Sequence, residues 1–293
     1  MHKSGFINLV GNPNVGKSTL MNALVGEKLS IITSKSQTTR HRILGIVNEE
    51  NYQMIFSDTP GILKPKYALQ ESMLQFSRSA LTDADILMYV TDVYDAEPKD
   101  MDFVQKINSD NVPLLVLINK IDLINQEKLE LLVEKWHGIF PRGEILPISA
   151  LEKFNVDYLM KRIKELLPES PPFFDKDQLT DKPVRFFISE IIREKVLLNY
   201  QKEVPYAVEV EIEEFHEEEN LVRIGAVIYV ERDSQKGIII GKGGKSLKKV
   251  GVQARKDIEE FLGQKVFLSL YVKVEKDWRN KEKKLKDFGY LHD

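Results

Sequence analysis

The sequence has no cysteine, which excludes disulfides and thiolate-held zinc and agrees with a reducing compartment. It also has no apolar run near the ~20 residues that a membrane-spanning helix needs; stretches such as Val112 to Ile118 are far shorter. No basic leader with an apolar stretch behind it precedes the first strand-like segment, so no secretory signal is expected and a cytoplasmic location is. A strong charge of one sign is missing too: a net charge of -3 over 293 residues does not by itself announce a nucleic-acid or membrane partner. What is present is an ordinary globular composition, 42% hydrophobic and 30% charged. The chain is longer than a single core usually serves, so two domains are expected.

The stretch that organises the chain is Gly11-Asn12-Pro13-Asn14-Val15-Gly16-Lys17-Ser18, followed by Thr19. It fits the spacing of a phosphate-cradling loop. Phe6–Val10 before it reads as a buried strand, and the residues from Ser18 to Val25 have helical spacing. A Gly-bracketed turn between strand and helix aims backbone N–H groups and the positive helix end at one point, which suits a polyphosphate. Lys17 would reach the terminal phosphates and the Ser18 hydroxyl would take a Mg²⁺ position.

Downstream, strand-like runs at Gln53–Ser57, Ile86–Val90, Leu114–Ile118 and Ile145–Ile148 alternate with helical stretches near 68–82, 98–108, 126–138 and 153–167. This alternation predicts a mostly parallel sheet wrapped by helices, with ligands beyond the strand C-termini. Three short motifs follow those strands. Asp58-Thr59-Pro60-Gly61, with Ile62 after it, offers a Mg²⁺-facing carboxylate and a glycine amide for a γ-phosphate; alone, it is also a plain turn. Asn119-Lys120-Ile121-Asp122 places a carboxylate that can accept from N1–H and N2–H₂ of guanine, a donor pair that adenine lacks. Standing alone, the same tetrapeptide would serve as a helix-start cap. Ser149-Ala150-Leu151 offers a backbone amide for the guanine O6, and by itself means nothing. Four such pieces in this order, each at a strand end, predict a guanine-nucleotide site and oppose an ATP-driven kinase.

The segment from Leu29 to Arg42 is polar and β-branched, without helical spacing. It reads as a mobile segment that orders when the γ-phosphate is present. Thr38 and Thr39 both offer a hydroxyl to Mg²⁺, and Thr39 is favoured. Ile62 stands where many such enzymes carry a water-orienting Gln, so intrinsic hydrolysis is expected to be slow unless a partner, a metal ion or backbone groups position the water.

Pro168-Glu169-Ser170-Pro171-Pro172 stops the last helix of this part and reads as a semi-rigid linker. Beyond it the pattern is helix, strand, strand, helix, helix, strand. The two later helices are joined by Gly241-Lys242-Gly243-Gly244, with Lys245 and Lys248 in the basic helix that follows. A Gly-x-x-Gly turn between helices lets a nucleic-acid backbone come close, the way a KH module clamps four nucleotides; a structural helix-turn-helix is the plainer alternative. Charge segregation favours the nucleic-acid reading. Arg232 to Lys286 carries 16 Lys and Arg against 7 Asp and Glu, whereas Glu203 to Glu219 carries 8 acids and no Lys or Arg. Such a split predicts one basic face. Few aromatics lie near the turn, so ring stacking is not expected. The basic stretch Lys276–Lys286 is expected to be helical, with RNA, a membrane or solvent as its surroundings.

On GNPNVGKST, QTTRHR, DTPG, NKID, SEIIREK and GKGG, the chain resembles the Era family of bacterial GTPases over essentially its full length. The resemblance implies an α/β chain: a Ras-like P-loop GTPase domain over 1–170, a linker over 171–182, and a smaller α+β KH domain of type II over 183–293. It implies GTP and GDP as ligands with Mg²⁺ held by Ser18, Thr39 and Asp58, and a K⁺ ion near Asn14 as an aid to hydrolysis. It also implies small-subunit ribosomal RNA and the 30S subunit as partners, peripheral contact with the inner face of the membrane, and a monomer. A signalling GTPase whose second domain binds protein or membrane is the alternative.

Overall fold

The computed structural model describes residues 1–95 and 97–291. The chain forms two compact units, one of Met1–Lys66 with Gln70–Asp181, the other of Lys182 onward with Tyr67–Leu69. The end of the expected KH domain, His292 and Asp293, lies outside the described residues.

The first unit runs β1 (Lys3–Val10), α1 (Lys17–Val25), β2 (Ile43–Asn48), β3 (Tyr52–Asp58), α2 (Ala68–Thr82), β4 (Ile86–Asp92), α3 (Met101–Ser109), β5 (Leu114–Asn119), α4 (Gln126–Ile139), β6 (Glu144–Pro147) and α5 (Val156–Leu166). Its sheet has the order β2-β3-β1-β4-β5-β6, parallel except for the β2–β3 hairpin. β1, β4 and β5 are buried almost throughout, as strands covered on both faces must be. Tyr89, Trp136 and Phe140 stack beside Val116 and Ile118 in one core cluster.

β2 was not expected from the sequence. Gly45 interrupts its apolar pattern, and a Cβ there would meet the Met21, Val25 and Leu29 side chains within 2.7–3.0 Å. The helix α1 thus packs against a strand that reads weakly because of the residue it needs there.

The 171–182 stretch, expected as a linker, is instead laid along β2 and β3 as far as Asp181. The buried Gln53 side chain accepts from the Phe173 and Phe174 amides (2.7 and 3.0 Å) and donates to the Phe174 carbonyl (2.8 Å). Ile46 N donates to Leu179 O, Leu44 N to Asp181, and the Thr180 hydroxyl to Leu44 O. β2 is an edge strand, and an edge takes whatever backbone or side chain satisfies its open groups.

The second unit runs α6 (Val184–Asn199), β7 (Glu209–Glu217), β8 (Val222–Val230), α7 (Asp233–Ile240), α8 (Lys245–Leu262), β9 (Val266–Val274) and α9 (Glu282–Asp287). Its sheet is β7-β8-β9, antiparallel then parallel. One apolar cluster joins Ile188, Ile192 and Val196 of α6 to Ile224, Ala226 and Ile228 of β8 and to Val250, Ala254 and Ile258 of α8. The basic stretch near 276–286 is not a loose tail. Trp278 is fully buried and donates from its indole to the Ala207 carbonyl (2.9 Å); Leu285 and Tyr290 are buried too. The Tyr290 hydroxyl donates to Glu209 at 2.6 Å. Its charges had hidden three apolar anchors spaced too widely to show a helical period.

Candidate functional site

The loop ends of β1, β3, β5 and β6 surround a cavity of about 510 Å³. The size suits a nucleotide. One side is the turn between β1 and α1, where Gly16 has φ 97 and a Cβ would stand 2.3 Å from the Asn119 amide nitrogen. Only glycine allows both that backbone and that approach. Asn119 reaches back from β5 to donate to Val15 O (2.9 Å) and accepts from the Ala150 amide (2.9 Å). One side chain thereby locks the phosphate loop, the Asn119–Asp122 turn and the Ser149–Leu151 loop in register.

Lys17 is buried under the loop, its ammonium donating to Gly11 O (3.1 Å) and Asn12 O (2.8 Å). Burial pushes its pKa down to about 8, against the pull of Asp58 and Asp95. The free lysine therefore begins to lose its proton near pH 8, while an adjacent phosphate restores it. Above that pH, nucleotide binding takes up a proton, and GDP affinity falls by up to about tenfold per pH unit. Calorimetry near pH 8.5 in buffers of different ionisation heat checks this: a buffer-independent heat and a flat affinity would contradict it.

At the phosphate end, three oxygen side chains meet. Ser18 Oγ donates to Asp58 at 2.6 Å and lies 2.9 Å from the Thr39 hydroxyl, which is itself 3.4 Å from the same carboxylate oxygen. Asp58 is fully buried, and its other oxygen, Oδ1, has no hydrogen-bond partner among the described residues. Burial raises its pKa, opposed by the Ser18 hydroxyl, the Lys17 ammonium and the Ser30 and Thr39 hydroxyls. A buried carboxylate with an unspent oxygen and two hydroxyls is a hard-oxygen donor set of the kind Mg²⁺ takes, and the residues fit that ion. The two neighbouring threonines both line the cavity and differ in what they touch. Thr38 bonds within its own loop, to Thr33 (2.7 Å) and Lys35 O (2.7 Å), while Thr39 faces the site.

At the other end, Asp122 Oδ1 accepts from Ser149 Oγ at 2.6 Å, which fixes the carboxylate beside Ala150, with Leu123 and the exposed Leu151 at the rim. Lys120 bridges two walls, donating to Asn14 O (2.7 Å) and pairing with Asp92 at 2.5 Å.

Pro13, Asn14, Thr19, Thr59 and Gly61 also line the cavity. Gly11, Asn12, Val15, Asp58, Pro60 and Ile62, also expected there, do not, Asp58 lying behind the Ser18 hydroxyl. The Asn12 side chain turns away to Asp95 (2.8 Å), and the Pro60 carbonyl accepts from Ser77. Val15 is buried beneath the loop. Ile62 is buried in the core cluster with Val10 and Leu74, its amide donating to Gly11 O (3.1 Å).

In the second unit, the Gly241–Gly244 turn joins α7 to α8. Gly241 has φ 71, and a Cβ there would fall 2.2 Å from the Ser246 hydroxyl. Beside the turn, α8 and β9 enclose a groove of about 450 Å³ lined by Gly244, Lys248, Gly251, Arg255, Leu268 and Leu270, among others. Lys242 and Gly243 sit on the turn itself, and Lys245 opens α8. Few aromatics were expected near the turn and ring stacking was not; one ring, Phe267 of β9, does border this groove. It is remote from the turn in sequence and comes to it only through the sheet.

A 50S ribosome-binding GTPase family model matches residues 6–120, and a KH-domain model matches residues 203–279. The curated GTPase Era of Staphylococcus haemolyticus is 45% identical over the whole of this chain and 98% of its own length. The chain belongs to the Era GTPase family. GTPase Era of Staphylococcus epidermidis is 44% identical with the same coverage. Among solved structures, Era in complex with MgGDPNP and nucleotides 1506-1542 of 16S ribosomal RNA is 42% identical, matching 100% of both chains with a TM-score of 0.95. Aquifex aeolicus Era bound to GDP.AlF4- is 41% identical, covering 99% of this chain and 100% of the other, with a TM-score of 0.94.

For an Era-family GTPase, the missing glutamine has a structural counterpart here: the Ile62 side chain cannot face the cavity without leaving the core. Ile62→Gln is therefore expected to destabilise the protein by about 1–3 kcal/mol through burial of an unpaired amide and not to speed hydrolysis. A thermal melt and a single-turnover assay check both, and a faster rate would show that this side chain reaches the site. Sequence reasoning brought the 29–42 segment to the γ-phosphate but did not single out Ile31, Ile32, Thr33, Ser34 and Gln37 as a cavity wall, and it missed the Asp92–Lys120 pair. Of the wall residues only Gln37 falls in a motif, QTTRHR, and the others carry none. Asp92 ends β4 as Asp58 ends β3, and that position was the available signal.

Proposed function

We propose that this chain is a slowly hydrolysing GTP switch whose KH domain grips small-subunit ribosomal RNA during assembly of the 30S subunit. The observation that carries this reading is one cavity with the Asp122 carboxylate at one end and, at the other, the Ser18 and Thr39 hydroxyls backed by the buried Asp58. In this reading Asp122 accepts from N1–H and N2–H₂ of guanine and the Ala150 amide meets O6. Lys17 and the loop amides hold the phosphates, and Gly61 N–H meets the γ-phosphate. Ser18, Thr39 and Asp58 would hold Mg²⁺, which when bound offsets charge between the β- and γ-phosphates. Thr39 then ties the 29–42 segment to the triphosphate state and frees it in the diphosphate state. Asn14 stands where the resemblance places a K⁺ ligand, and equal rates in KCl and NaCl would remove that role.

The second unit supplies the RNA surface: Gly241–Gly244, Lys245 and Lys248 for the backbone and the α8–β9 groove for the bases. The same reading places the chain in the cytoplasm, where GTP and ribosomal subunits are, with any attachment to the inner membrane face peripheral. No helix among the described residues is long and apolar enough to cross a membrane.

Titration of a single-stranded RNA from the 3′ end of 16S ribosomal RNA, with the protein in GTP-analogue and GDP forms, tests the switch. Expected are a log–log salt slope of about -0.7 per phosphate contacted and affinities that differ between the two forms. Nucleotide-independent binding would leave two functions without a switch. Salt-independent or absent binding would favour a protein or membrane partner.

A further inference from the structure

The outer face of the second sheet carries two exposed rings. Alternation along β9 places Phe267, Ser269, Tyr271 and Lys273 on the face opposite the helices. Phe267 is 54% and Tyr271 61% exposed, although large rings on a packed unit are normally covered. Elsewhere on that face Gly225 lies against the Glu214 side chain and Tyr229 under Phe288, while Arg223 and Lys273 are half exposed. The two rings stand about 13 Å apart along the strand, at about 3.3 Å per residue. They can therefore take separate bases and not one. The Arg223 guanidinium lies 5.6 Å from the Phe267 ring centre, which extends the flat surface.

β9 is an edge strand, and Phe267 borders the α8–β9 groove at the same time as it faces outward. The groove and the ringed face are thus one continuous surface around the sheet edge. Charge fixes the direction of a polyanion along it. Lys248 and Arg255 line the groove, whereas β7, at the other edge of the sheet, carries Glu211, Glu213, Glu214 and Glu217. A strand of RNA crossing towards β7 meets those carboxylates; one running along β9 does not. Arg223 and Lys273 are paired with Glu218 (2.7 Å) and Glu213 (2.6 Å) in exposed ion pairs. Such pairs contribute little, so a phosphate can displace the carboxylate.

We infer that Phe267 and Tyr271 form a stacking platform that extends the RNA site beyond the groove, taking bases of the single-stranded RNA that leaves it along β9. This rests on the reading of the second unit as RNA-binding. Stacking on a ring tolerates any base, so the platform adds affinity and register while the groove adds sequence preference.

The test compares a tetranucleotide and a dodecanucleotide of single-stranded RNA from the 16S 3′ end, on the full chain. Tyr271→Ala is expected to weaken the dodecanucleotide on the order of tenfold and leave the tetranucleotide unchanged. Tyr271→Phe should bind as the parent does, because stacking needs no hydroxyl. Tyr271→Trp should show indole fluorescence quenched by the long RNA only. The residue is exposed, so unchanged melting of these variants is the folding control. If Tyr271→Ala binds both lengths like the parent while the double substitution Lys242→Asp, Gly243→Asp still abolishes binding, the platform is overturned and the RNA reading stands. If neither variant changes binding, both are overturned. Equal losses on both lengths, or lost binding to 30S subunits without any quenching by RNA, also overturn it; the latter assigns the rings to a ribosomal protein.

Discussion

Asp122→Asn is expected to lower GTP affinity by roughly 10²- to 10⁴-fold, the loss of two hydrogen bonds to a charged acceptor worth about 1.5–3 kcal/mol each. The carboxylate is held by Ser149 Oγ, and an asparagine oxygen can keep that bond. Its amide would then present N–H groups where guanine also presents N–H, so two donors face each other. Xanthine, with a carbonyl at that ring position, meets the amide as an acceptor. The substitution should therefore exchange specificity and not unfold the site. Competition of XDP and GDP against a fluorescent nucleotide measures it, and unchanged GDP affinity would remove Asp122 from the base-reading role.

The second large effect is expected on RNA. Replacing Lys242 and Gly243 together by Asp puts two negative charges where the phosphate backbone must pass closest. Gly243 has φ 61, a left-handed conformation that Asp tolerates better than most residues. The turn should keep its shape, and a Cβ at position 243 meets nothing within 4 Å. Reversing the charge at a close phosphate contact and losing one cation should weaken RNA binding by about 100-fold or more at physiological salt, with GDP affinity unchanged. A filter-binding titration beside a nucleotide titration reads both. RNA binding that persists would move the interface away from this turn.

Much of the nucleotide cavity was legible in the sequence because its chemistry is local: short motifs fall at strand ends, and a parallel sheet brings all strand ends of one sense to one edge. Ser18, Asp58 and Asp122 needed only that topology. Thr39 was favoured over Thr38 from the sequence, but what separates the two, a Thr38 hydroxyl that closes on its own loop, is visible only in the packing. Ile62 lies in the core although its sequence neighbour Gly61 lines the cavity, because one step along an irregular segment turns a side chain from cavity to core. β2 was hidden by Gly45, and the aromatic neighbour of the Gly241–Gly244 turn by its distance along the chain. The burial of Trp278, Leu285 and Tyr290 was masked by the lysines between them.

The stitching of residues 173–181 to β2 and β3 leaves little slack before α6. Only Lys182 and Pro183 separate Asp181, held by the Leu44 amide, from the first turn of that helix. Proline fixes one of the few torsions in so short a tether. A message from the triphosphate to the RNA-binding half cannot travel as a lengthening of loose chain. Along this stretch there remain a displacement of β2, which begins directly after Arg42, and rotation about the free bonds of a two-residue joint; the passage of the chain through Tyr67–Leu69 is a separate connection.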